Sequence, residues 1–133
     1  MLFCLQRRVF FRATSESNMR LNCRLYTTLP VLKSFHIKLL DNKDPDCLSR
    51  RIAARKVHLE RIQPLITNKT ITFGAAIVKG VEQKMEGSIL VVQAETEQAV
   101  IELLKKDEYA KQNVWDFSTL EIQQVKPLPI PNN

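Results

Sequence analysis

The chain has 133 residues, 44% hydrophobic and 26% charged, so it is long enough for one core and too apolar for a disordered polyelectrolyte. No apolar run approaches the roughly 18 residues of a membrane-spanning helix, because Arg, Lys or Asp interrupts each candidate. The net charge of +6 is unevenly placed: residues 1–26 hold five Arg against Glu16, while the other 107 residues carry 15 basic and 13 acidic side chains. A folded domain this close to neutral lacks the basic face of a nucleic-acid binder, so neither nucleic acid nor membrane is expected as a partner.

Residues 1–26 contain Arg7, Arg8, Arg12, Arg20 and Arg24, no Lys, and several Ser, Thr and Phe. This is the composition of a mitochondrial transit peptide. A secretory signal places its charges ahead of an apolar core, whereas here Arg7 and Arg8 cut into the apolar stretch. Arg24-Leu25-Tyr26 followed by Thr27-Thr28 resembles a matrix-processing site. The expected organisation is a transit peptide over 1–26 and one domain over 27–133 in the mitochondrial matrix; the competing reading of the first segment is a basic tail. Cleavage removes Cys4 and Cys23, and Cys47 alone cannot form an internal disulfide, in keeping with a reducing compartment. His36, His58 and Cys47 have no zinc-motif spacing, so neither a metal nor another cofactor is expected.

In the domain, Ser34 to Leu39 alternates with period two and predicts a strand with Phe35, Ile37 and Leu39 on one face. Asp44-Pro45-Asp46 offers a capping Asp with Pro in the first turn, and Cys47 to Ile66 follows at helical spacing, with Pro64 near its end. Ile71 to Ile77 reads as a second strand, Lys79 to Gly87 as a loop or hairpin tip, and Ile89 to Val92 as part of a strand covered on both faces. Thr96 caps a second helix with Ala99, Val100, Leu103 and Leu104 as its buried stripe. Asp107 to Trp115 reads as a connection and Phe117 to Val125 as the last strand, before Pro127, Pro129 and Pro131. The order is βαββαβ: an α+β, ferredoxin-like antiparallel sheet with helices on one face. An apolar second face predicts a homodimer through the sheet.

The first helix carries the candidate site. At 100° per residue, Ile52, Leu59, Ile62 and Ile66 fall within about 40° of Leu48, and Arg55 falls inside that stripe. An unpaired guanidinium facing a core costs several kcal/mol, so Arg55 is expected to point inward at an anion. Arg51 and His58 lie along the edge of the stripe. Arg51 and Arg55 are therefore candidate ligand-binding residues for a small acidic or enol-like molecule, with His58 the candidate catalytic acid or base. The bland alternative has Arg55 snorkelling, Arg51 paired with a nearby acid, and His58 half-buried.

Arg51-Ile-Ala-Ala-Arg55-Lys-Val-His58-Leu-Glu-Arg61-Ile62 resembles the R-L-x-x-R-x-x-H-L-x-R-L signature of the YciI-like (YCII-related domain) proteins. Phe73-Gly74, Lys106-Asp107-Glu108-Tyr109 with Val114-Trp115, and Gln124-Val125-Lys126-Pro127-Leu128 are similar to further motifs of that family, in order, over about residues 33–128. The resemblance implies a dimeric α/β barrel type of ferredoxin-like fold, with a pocket in each subunit and a His–Asp pair. Departures stand beside it. The family's partner Asp follows the Gly, and Gly74-Ala-Ala-Ile-Val-Lys-Gly80 contains no acid; Glu82, on the adjacent loop, is the nearest substitute. Two functions follow: a small-molecule enzyme of lyase, isomerase or hydrolase-like type acting on an anionic metabolite, or a non-catalytic ligand-binding or structural dimer that has lost the Asp.

Overall fold

The computed structural model describes residues 29–128; the transit-peptide segment and its cleavage point lie outside them. The elements are β1 (Lys33–Asp41), α1 (Cys47–Thr67), β2 (Ile71–Lys79), β3 (Lys84–Ala94), α2 (Glu97–Lys105), α3 (Glu108–Lys111) and β4 (Trp115–Val125). All strand pairs are antiparallel, in the order β2-β3-β1-β4, so the expected ferredoxin-like α+β arrangement is the observed one. Alternation in β1 buries Phe35, Ile37 and Leu39 under the helices, where they meet Val92 and Leu90 of β3, Val100 and Leu104 of α2, and Tyr109, Val114 and Trp115. Among the described residues no helix is long and apolar enough to cross a membrane.

Thr96 does cap α2, accepting from Ala99 N–H at 3.1 Å, with Glu97 in the first turn and Lys105 in the last. The expected cap of α1 is different: Asp46 holds the N-cap place without a side-chain bond. Asp44 instead takes two bonds from Arg50, at 2.7 and 2.8 Å. Pro64 lies inside α1, which continues to Thr67. Lys69, at φ 63°, turns the chain into β2. The stretch expected as a loop or hairpin tip, 79–87, is the tip of the β2–β3 hairpin, with its turn from Gly80 to Gln83 and β3 already running from Lys84. The expected connection after Asp107 contains α3, whose N-cap is Asp107 itself: its carboxylate accepts from Tyr109 N–H at 2.8 Å. α3 completes the site.

The main correction concerns the rotation of α1. Its buried residues are Cys47, Arg51, Ala54 and His58, whereas Ile52, Leu59 and Ile66 are exposed and Arg55 is exposed with them. The helix is turned by about 90° from the orientation its apolar stripe predicts. Two polar side chains face inward because each has partners waiting in the sheet or in α3, which removes the penalty of burying them. Ala54, between them, lets the helix approach closely. Part of the apolar stripe borders a cavity instead of a packed core.

A buried His and a buried Arg above a cavity

Arg51 is 2% exposed, and both of its terminal nitrogens are hydrogen-bonded. Nη1 donates to Asp41 Oδ1 at 2.6 Å, and Nη2 donates to Gly87 O and Ser88 Oγ, both at 3.1 Å. The guanidinium also lies 4.6 Å from the centre of the Tyr109 ring. Only its Nε is buried without a partner. One side chain thus joins α1 to β1, β3 and α3. Burial pushes the Asp41 carboxyl up from its ordinary value and Arg51 pulls it back. Cys47, beside this network, donates to Val114 O at 3.4 Å, and burial pushes its thiol up. It is a packing residue, not a reactive thiolate.

His58 sits two turns further along the same face. Its Nδ1 is 2.8 Å from Asp107 Oδ1 and 2.9 Å from Oδ2. Its ring stacks on Tyr109 at 3.9 Å, and Trp115 meets both rings edge-on. An ionised carboxylate only accepts, so His58 carries its proton on Nδ1 when neutral and leaves Nε2 as a free base. Asp107 is fixed in turn by the backbone of α3. The carboxylate beside His58 thus comes from the N-cap of α3, and Glu82 is exposed, with no bond to His58. Sequence reading quoted Asp107 within a motif without linking it to His58, from which it is 49 positions distant. From sequence, Asp41 stands out only as the Asp that follows the family's opening strand, and Tyr109 and Trp115 read as core by default with a pocket wall as the alternative; both line the cavity, and Ser88 was missed.

A cavity of about 370 Å³ lies between α1 and β2–β3. Arg51, Arg55 and His58 line it, so all three expected residues border one hollow. Their parts differ. Arg51 is committed to the scaffold; Arg55, in place of being buried, stands at the rim, where its Nη1 touches Met85 Sδ at 3.5 Å and no acid pairs with it among the described residues. Ser88 also lines the cavity. Its oxygen accepts from Arg51 and from Trp115 Nε1 at 3.1 Å, which uses both lone pairs and leaves its O–H to donate elsewhere. Leu59, Ile62, Ile66, Ile71 and Leu90 supply apolar wall, and Gly74 keeps β2 low: a Cβ there meets Leu90 Cδ2 at 3.3 Å. Among the described residues, no group of three or more His, Cys, Asp or Glu converges as a metal site.

Fold and site together define a ferredoxin-like α+β protein with a small cavity lined by a histidine, whose ring is paired with a carboxylate outside the lining, and by a rim arginine that no acid pairs with among the described residues. No family model matches the chain. It is similar to the fusaric acid biosynthesis protein 2 of Gibberella fujikuroi and of Gibberella moniliformis, each 29% identical over 87 residues, which are 62% of this chain and 84% of theirs. A similar stretch occupies 16% of an aspartate kinase of Fusarium oxysporum f. sp. lycopersici, again 29% identical over 87 residues. Among solved structures, the fold is similar to that of the 5-chloro-2-hydroxyhydroquinone dehydrochlorinase of Burkholderia phenoliruptrix AC1100 in complex with 2,5-dihydroxybenzoquinone. The TM-score is 0.59 at 24% identity, over 70% of this chain and 93% of that one.

Proposed function

We propose that this chain is a YciI-like enzyme that moves a proton at a carbon next to a carbonyl of a small anionic metabolite, in an isomerisation or an elimination. The observation that carries this reading is the 2.8 Å pairing of His58 with Asp107, which holds the ring of a histidine on the wall of the cavity that Arg55 borders. Asp107 holds the tautomer that presents Nε2 as base. Nε2 takes the proton, the C–H electron pair shifts toward the carbonyl, and the enolate oxygen is stabilised by Arg55 and the Ser88 O–H. Where the substrate carries a C=C next to the deprotonated carbon, the extended enolate is reprotonated at its far carbon and the double bond shifts. Where the neighbouring carbon bears a leaving group, the pair returns from oxygen, a new C=C forms and the group departs with its bonding electrons. The described domain joins a second copy through the open sheet face, on which Phe73, Ala75, Ile77, Ile89 and Val91 form an apolar patch by their register. Residues 1–26 direct it to the mitochondrial matrix. The similarity to proteins of fusaric acid biosynthesis supports a part in small-molecule metabolism.

The test is α-proton exchange in D₂O with a panel of small oxo acids, alongside chloride release from chlorinated hydroxyhydroquinones. His58→Ala should slow any turnover found by about 10²–10⁴, and Asp107→Asn by a smaller factor. Unchanged rates in both variants overturn the assignment. Binding without turnover across the panel favours the non-catalytic dimer.

A further inference from the structure

Resting on that reading of Arg55 and His58, we infer that the ligand is a small amphiphilic acid, its anionic head at Arg55 and an apolar tail directed toward the C-terminal end of α1. The cavity changes character along its length. On α1 the wall runs from Arg51, Arg55 and His58 to Leu59, Ile62 and Ile66. From His58 to Ile66 is about 12 Å along the helix axis at 1.5 Å per residue. The facing wall changes in the same direction. Ser88, which Arg51 holds, pairs with Ala76; Leu90 pairs with Gly74; and Ile71 lies nearest the turn that leaves α1. The charged and polar groups Arg51, Arg55, His58 and Ser88 therefore gather at one end, beside the rings of Tyr109 and Trp115, and aliphatic side chains dominate the other, with Thr72 among them.

No carboxylate lines the cavity among the described residues, so its charged end favours an anion. A head alone leaves the aliphatic end wet, and a tail alone leaves the rim guanidinium without a counter-charge. A volume near 370 Å³ stands at the low end of the range of about 300–1,000 Å³ common for small-molecule sites. Gly74 and Ala76 keep the floor shallow enough for the tail to pass.

The probe is the series of straight-chain carboxylates from acetate to octanoate, titrated into the full chain and followed by ¹⁵N–¹H chemical shifts. Wild type should bind each longer member about fourfold tighter, the equivalent of ~0.8 kcal/mol per methylene, until the cavity is filled. Arg55→Gln should weaken every member by a similar factor and leave the chain-length slope intact. Ile66→Glu, at an exposed position that tolerates the change, should cancel the gain of the longer members. A flat wild-type series with Arg55-dependent binding overturns the tail while sparing the anion site. A slope that survives Ile66→Glu puts the tail elsewhere and overturns it too. Should no acid bind in an Arg55-dependent way, this inference and the anion-site reading fall together.

Discussion

Replacing Arg51 by Met removes the tie between four elements while keeping an unbranched side chain of similar length. The side chain is 3% exposed and that of its partner Asp41 is 7% exposed, so Asp41 is left as a buried carboxylate without its counter-charge. Gly87 O and Ser88 Oγ also lose a donor, and Tyr109 loses the cation over its ring. Breaking a buried pair in this way costs about 3–5 kcal/mol. For a domain of this size that lowers the melting temperature by roughly 12 °C or more. The deficit should depend on pH. Burial already raises the Asp41 carboxyl above its ordinary 3.8, and Arg51 is what restrains it. A carboxyl raised in the folded state contributes stability that is complete below the unfolded value and is lost as pH rises through the folded one. Without Arg51 that loss grows, so the gap between variant and wild type should widen from about pH 4 to pH 7. Urea unfolding across that range measures it. A second change, Asp41→Leu, should recover most of the loss, because two apolar groups replace a broken pair. A deficit under about 1 kcal/mol, or one that does not change with pH, refutes the reasoning.

Two further outcomes follow from the same core. Gly87→Ala should destabilise by about 1–3 kcal/mol, because its Cβ would stand 2.5 Å from Leu39 O and 3.2 Å from Leu40 Cα, both backbone atoms that cannot step aside; an unchanged urea midpoint contradicts that close approach. Burial raises the Tyr109 phenol above its ordinary 10.0, so its contribution to stability is complete below that pH and is lost as pH climbs through the folded value. Tyr109→Phe should therefore lose less stability than wild type between pH 9 and 11, and equal slopes would remove the phenol from the account.

Much of the scaffold is readable from pattern because it is local. The period-two run from Ser34 to Leu39 and the Thr96 cap are each decided by neighbours in sequence. The rotation of α1 is not. Its apolar stripe at Leu48, Ile52, Leu59 and Ile66 is the stronger periodic signal, yet the helix buries Arg51 and His58. Tertiary partners decided it: Asp41 and Ser88 for one, Asp107 for the other, at separations of 10, 37 and 49 positions. Periodicity records hydrophobicity and is blind to a satisfied ion pair. For the same reason the three candidate residues were legible and their parts were not. Arg55 was expected inside and stands at the rim, while Arg51 borders the cavity and also makes the pairing with a nearby acid that the alternative reading gave it. Asp107 lay within a connection whose single helical turn, four residues long, gives no periodic signal.

The central claim is that Asp107 fixes the ring of His58 so that Nε2 is the free base in the cavity. The ¹⁵N spectrum of the two ring nitrogens of His58, recorded at a pH where the ring is neutral, tests it directly. The account predicts the Nδ1–H tautomer in wild type and loss of that preference in Asp107→Asn. A wild-type ring protonated on Nε2, with Nδ1 bare, contradicts it.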